Sequence, residues 1–182
     1  TGTGDAWMSG TSFATPLVAG AAALALQAHP GWNATEIKAL LLNTAKPMQH
    51  KNGIPYPETL TGAGFLDVAQ AVTTTVTAMA ERTDGLTTLS LGALALARPW
   101  EETRQIRVTN HGDADAKFTL SVEETVTENG FGIELPEKEF TIAAKSQKLV
   151  PVRFSADPAQ FDRTGDPLTP SLLNDRARSW VY

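Results

Sequence analysis

Gly10-Thr11-Ser12, running on into Phe13-Ala14-Thr15-Pro16, is the stretch whose residue types and spacing suit covalent chemistry. A serine hydroxyl attacks a carbonyl only when it stands clear of the backbone and a neighbouring base takes its proton. The first turn of a helix meets the first need, and its unpaired N–H groups and positive dipole end face the place where an oxyanion would form. Gly10 admits the turn before the helix, and the small side chain of Ala14 leaves the approach open. Ser12 is therefore the candidate catalytic nucleophile, with its own backbone N–H as one oxyanion donor. A serine and a threonine that do no more than cap a helix would use the same residue types.

A base is harder to find. His29 stands before Pro30 where the helix must stop, His50 lies in a polar loop and His111 in a turn, so none of the three is expected to serve. The pairs Glu101-Glu102 and Glu123-Glu124 read as solvated strand ends, and no loop has the alternating carboxylates of a calcium site. No cofactor or metal is implied in this chain; structural calcium elsewhere in a parent protein is a question these residues do not reach. Asn33-Ala34-Thr35 matches a glycosylation acceptor, but the same asparagine with Glu36 makes a capping box, which is the expected role.

The elements that must position Ser12 follow in order. Thr1 to Met8 reads as a loop or short strand, anchored by Trp7 and Met8. From Ser12 the pattern is helical, with Pro16 in or just past the first turn, where a missing N–H costs least. Leu17 to Leu26 is apolar around its whole circumference, the mark of a helix buried on every side. His29-Pro30-Gly31 ends it, and a second helix starts behind Asn33, with Trp32 placed to staple onto Ile37 and a stripe of Ile37, Leu40, Leu41 and Ala45. A surface loop over Met48 to Leu60, the tight passage Gly62-Ala63-Gly64 and a short helix over Phe65 to Val72, with Asp67 near its cap, complete the region.

From about Glu81 the period changes to two. Gln105 to Thr109, Lys117 to Val122 and Lys148 to Phe154 alternate like half-buried strands, with shorter candidates at Thr88 to Leu91, Ile133 to Leu135 and Glu139 to Ile142. Asn110-His111-Gly112-Asp113 predicts a hairpin turn joining the first two as an antiparallel pair. Pro151 belongs on an edge or at a bulge. Ser179 to Tyr182 reads as the start of a strand cut short. The spacing suggests an all-β sandwich, so the expected domains are residues 1–80 and 81–182.

Composition narrows the classes. A 182-residue chain with 42% hydrophobic residues can bury a real core, and its net charge of −5 with scattered lysines and arginines leaves no footprint for nucleic acid. The absence of cysteine excludes disulfides and thiolate metal sites. Phe13 to Ala28 is uncharged, but its alanine, glycine and threonine with Pro16 inside suit packing within protein, so no membrane span is expected.

Met8-Ser9-Gly10-Thr11-Ser12-Phe13-Ala14-Thr15-Pro16-Leu17-Val18-Ala19-Gly20 closely resembles the nucleophile segment of subtilisin-like serine peptidases, in which Gly-Thr-Ser is followed by spaced Ala, Pro and Ala-Gly. The resemblance continues through the alanine-rich helix, His29-Pro30, the second helix and Gly62 to Ala71, and covers about the first 75 residues. Leu17 stands where the family often has a histidine outside the triad. The second region resembles the fibronectin type III-like (immunoglobulin-like) domain of larger extracellular members.

The resemblance implies an α/β fold, of which this chain holds a mainly helical C-terminal fragment, followed by the β-sandwich. It implies an endopeptidase acting on protein or peptide substrates through an acyl-enzyme on Ser12, in a secreted or cell-surface protein. The family orders its triad Asp, His, Ser. Eleven residues precede Ser12, none is histidine, Asp5 lacks an Asp-Thr-Gly or Asp-Ser-Gly setting, and no His-Gly-Thr occurs. The expected partner is therefore a preceding part of the catalytic domain that supplies Asp, His and an oxyanion Asn, and the chain alone is expected to be inactive. With no parallel sheet of its own, the chain in isolation should leave the apolar helix exposed, so the helix is expected to be covered by a partner chain, by dimerisation or by the β domain, or else the sequence to be an excised piece. The alternative class is a non-catalytic pseudopeptidase or a β-sandwich interaction module.

Overall fold

A computed structural model describes residues 2, 4, 9–51, 53, 55–56, 58–82, 86–92, 94–123 and 129–161. Asp5, the expected anchors Trp7 and Met8, and the terminal strand at Ser179 lie outside the described residues. Among the described residues helix and strand take nearly equal shares, 28% and 30%, so the fold is mixed, with the α-helices between residues 11 and 73 and the strands between residues 76 and 156.

Helix α1 spans Thr11–Ala28 and ends as expected at His29, whose N–H bonds Ala25 O at 2.9 Å. Helix α2 spans Ala34–Asn43, and the capping box at its start is complete: Asn33 Oδ1 accepts from the N–H groups of Thr35 and Glu36, while Glu36 Oε2 accepts from Asn33 N–H. Trp32 and Leu41 pack, partly buried, against the small core of this unit, of which Ile37 is a member. A single turn, α3 (Glu58–Thr61), leads to α4 (Val68–Thr73), which Asp67 caps through Gln70 N–H at 3.0 Å. Lys46 and Phe65 exchange two backbone hydrogen bonds of 2.8 Å, closing the loop between α2 and α4.

The helices share a core of Ala25, Ile37, Leu40 and Ala71. Leu40 is fully buried there, and such a side chain contributes about 1.5–3 kcal/mol. From α1 only Ala21 and Ala25, one turn apart, are buried. Their methyl groups let α1 approach α2 and α4 closely, and the larger side chains of α1 point elsewhere.

The second region contains strands β1 (Val76–Ala80), β2 (Trp100–Asn110), β3 (Ala116–Thr119), β4 (Phe131–Glu134), β5 (Glu139–Ile142) and β6 (Ser146–Ala156). Four form an antiparallel sheet in the order β1-β2-β6-β4, and β3 pairs with β5 in a separate ribbon. Val108 and Val150 of the sheet and Phe140 and Ile142 of the ribbon bury one another in a second core. β1 ends just before residue 81, where the second region was expected to begin, yet it pairs with residues 106–110 of β2.

Two expectations are corrected. β2 and β3 are not a hairpin pair, because β1 and β6 take both edges of β2 and β3 pairs with β5 instead. Asn110 is the last residue of β2 rather than a turn residue; its buried amide faces the carbonyls of Ala114, Ile142 and Ala143 and accepts from Gly112 N–H, steering the chain from sheet to ribbon. Thr88 to Leu91 forms no strand, although Thr87 O accepts from Ala80 N–H at 3.1 Å. Pro151 lies opposite Gln105, whose carbonyl turns away to Glu81 N–H. Proline therefore owes β2 no hydrogen bond, and its other side is the part of β6 that β4, paired only with 153–156, leaves as an edge.

Candidate functional site

Ser12 is the second residue of α1 and is exposed, as are Gly10 and Thr11. Gly10 offers no side-chain acceptor as the N-cap. Phe13 N–H closes a turn on Gly10 O at 3.0 Å, which leaves the N–H groups of Thr11 and Ser12 without a helical acceptor. The local geometry thus presents a hydroxyl and free N–H donors at the positive end of an 18-residue helix. Pro16 is the sixth residue of α1, just past its first turn, so the carbonyl of Ser12 lacks its usual donor four residues on. One residue earlier, Thr15 Oγ1 donates a side-chain bond to Thr11 O at 2.9 Å.

Neither His29 nor His111 is placed as a base for this hydroxyl. His29 is buried at the other end of α1, about 25 Å along the axis at 1.5 Å per residue. Its Nε2–H donates to Ala71 O at 3.0 Å. His111 belongs to that far end as well: the His29 imidazole stacks on the indole of Trp32 with centroids 4.3 Å apart, and the His111 imidazole packs against the same indole at 4.0 Å with its plane tilted by 33°. His50 packs edge-on to Tyr56. Burial holds the His111 imidazole below its ordinary protonation range; the nearby His29 and Lys145 act in the same sense and Glu36 in the opposite one. This ring stack escaped sequence reasoning, since only the fold brings residue 111 to residue 32. Among the described residues no cluster of three or more histidine, aspartate or glutamate side chains could hold a metal ion.

The exposed side of α1 is the most unusual surface near Ser12. Phe13, Leu17 and Leu24 fall within one narrow stripe at 100° per residue, and Leu17 is 69% and Leu24 50% exposed. Val18 and Leu26 widen the apolar surface around the helix. The expectation of burial on every side fails within this chain, because α2 and α4 cover only the alanine face. The exposed patch expected of the chain by itself is present. By length and composition α1 is also apolar enough to cross a membrane.

Known proteins are similar to part of the chain. Over 63 residues the chain is 41% identical to the minor extracellular protease Vpr of Bacillus subtilis (strain 168), covering 35% of this chain and 8% of that protein. Identity is 42% over 64 residues to the subtilisin-like protease SBT4.3 of Arabidopsis thaliana, covering 35% and 9%. With SBT4.7 of the same plant it is 39% over 66 residues, covering 36% and 9%. The matched stretch thus spans less than a tenth of each relative. The stretch that carries Ser12, residues 3–83, matches the Subtilase family (Peptidase S8).

Proposed function

We propose that the chain is part of a subtilisin-like serine endopeptidase, with Ser12 as the nucleophile that forms the acyl-enzyme and its backbone N–H as one oxyanion donor. The observation that carries this reading is the exposed Ser12 in the first turn of α1, inside the stretch that matches the Subtilase family. Attack by Ser12 Oγ on a peptide carbonyl would be assisted by a base outside the described residues. The helix N-terminus would stabilise the negative oxygen of the tetrahedral intermediate. The substrate is a protein or peptide, and export is the proposed location, in keeping with the extracellular protease named among the relatives.

Residues 81–182 are proposed to be a fibronectin type III-like sandwich. The core shared by the four-stranded sheet and the β3-β5 ribbon supports that reading. The exposed stripe of α1 is proposed to be covered by other parts of the catalytic domain rather than by lipid, since alanine, glycine and Pro16 suit tight packing against protein.

Fluorophosphonate labelling of a full-length protein containing this chain tests the assignment. An adduct on Ser12, lost in Ser12→Ala, is the expected result; no adduct supports the pseudopeptidase or binding-module reading. The isolated 182 residues should hydrolyse no peptide, because a lone serine has no base to activate it. Turnover that disappears in Ser12→Ala would overturn that expectation.

A further inference from the structure

The rings of His29, Trp32 and His111 meet where the helical unit joins the sheet. His29 follows α1, Trp32 precedes α2 and His111 follows β2, so one stack gathers three elements that are distant in sequence. His29 extends it to α4 through Ala71 O, and His111 extends it to β1, where its Nε2 lies 3.0 Å from Thr77 Oγ1. Two hydrogen bonds flank the stack: Ala78 N–H donates to Asn43 Oδ1 at 2.7 Å, and His111 N–H donates to Thr75 O at 2.8 Å.

We infer that the His29-Trp32-His111 stack is an acid-sensitive clasp, which holds the helical unit to the strand unit while His111 is neutral and loosens as His111 takes up a proton. The inference stands independently of the peptidase reading.

The charges around His111 decide the direction. Glu36 on α2 and the indole face both favour an imidazolium. Against it stand the partly buried site, the imidazole of His29, and the ammonium of Lys145. Lys145 donates to the carbonyl of His111 itself at 2.8 Å and is held by Asp113. Thr77 is neutral, and its hydroxyl can serve as donor or acceptor, so the bond to Nε2 survives protonation without offsetting the charge. Burial is the largest of these effects, so the docked ring gives up its proton more readily than a free imidazole.

The sign follows by linkage. An undocked His111 in water titrates near the ordinary value of about 6.5, while the docked ring titrates below it. The clasp is therefore at full strength above that value. It weakens as the pH falls through it, until the docked ring is itself protonated.

Hydrogen exchange of the Ala78 and His111 amides in the 182-residue chain reads the opening directly. Corrected for intrinsic rates, opening should rise on the order of threefold to tenfold between about pH 7.5 and about pH 5.5 in the native chain. It should stay level in His111→Phe, which keeps a ring on Trp32 and cannot titrate. Equal acid-driven opening in that variant, or none in the native chain, overturns the clasp. An NMR titration of the native His111 ring decides the case without any variant. A midpoint below about 6.5 is expected, and one at or above it overturns the inference.

Discussion

A β-carbon placed on Gly64 would lie 2.2 Å from the carbonyl oxygen of Lys46, inside any permissible contact. Gly64 also has a φ of +119°, a region that side chains disfavour. The two paired hydrogen bonds between Lys46 and Phe65 hold the backbones at this distance, so neither chain can retreat cheaply. Gly64→Ala should destabilise the helical unit by about 2–4 kcal/mol. Gly62→Ala, with φ +57° and open space around its Cα, should cost about 1 kcal/mol. Urea denaturation midpoints of the two variants check the ranking.

Asn33→Ala removes an acceptor for two N–H groups and breaks the reciprocal bond pattern with Glu36. The expected loss is about 1–2 kcal/mol. Asn33→Asp, which can accept the same bonds at a helix N-terminus, should recover most of it. Thermal unfolding of the three proteins is the measurement.

Asp67 joins two roles, capping α4 and pairing with Lys46 at 2.6 Å. The hydrogen bond from Lys46 and the Gln70 N–H together hold its carboxyl below the ordinary value of 3.8. The folded state therefore binds the proton more weakly than the unfolded chain. Its stabilising effect is complete well above pH 3.8 and is lost as the pH falls through that value toward the lower folded one. Asp67→Asn keeps a capping side chain but not the charge, so its stability should fall less steeply with acid. Parallel acid titrations followed by circular dichroism would reveal equal slopes if the pair contributes nothing.

The apolar side of α1 should make the isolated chain self-associate. Leu17→Gln combined with Leu24→Gln replaces side chains that are 69% and 50% exposed, so folding should be little affected while association drops. Sedimentation velocity across a concentration series distinguishes this from a chain that is monomeric without the substitutions.

Local signals carried much of the fold. The stop at His29-Pro30, the capping box at Asn33, the cap at Asp67 and the period-two strands all depend on residues within a few positions of one another, and each was readable from residue type and spacing. The turn at Gly10 and the helix start beside Ser12 were legible for the same reason.

Strand partnership was not legible in this way. Alternation declares that a stretch has two faces but says nothing of which edge it offers to which neighbour, so Asn110 to Asp113 suggested a hairpin where the structure passes from one sheet to another. The burial of α1 escaped for a related reason. An all-apolar circumference records the surroundings the helix prefers, whereas the exposure of Leu17 and Leu24 depends on what is packed beside it.

Sequence alone thus determined where α1 ends, where α2 begins and which serine stands at a helix N-terminus, because those are short-range properties of the chain; the single turn α3 inside the expected loop was not among them. Tertiary structure alone decided that β2 lies between β1 and β6, that α1 buries only its alanine face in this chain, and that His111 meets Trp32. Those outcomes rest on competition among distant surfaces for the same neighbours, which no local pattern encodes.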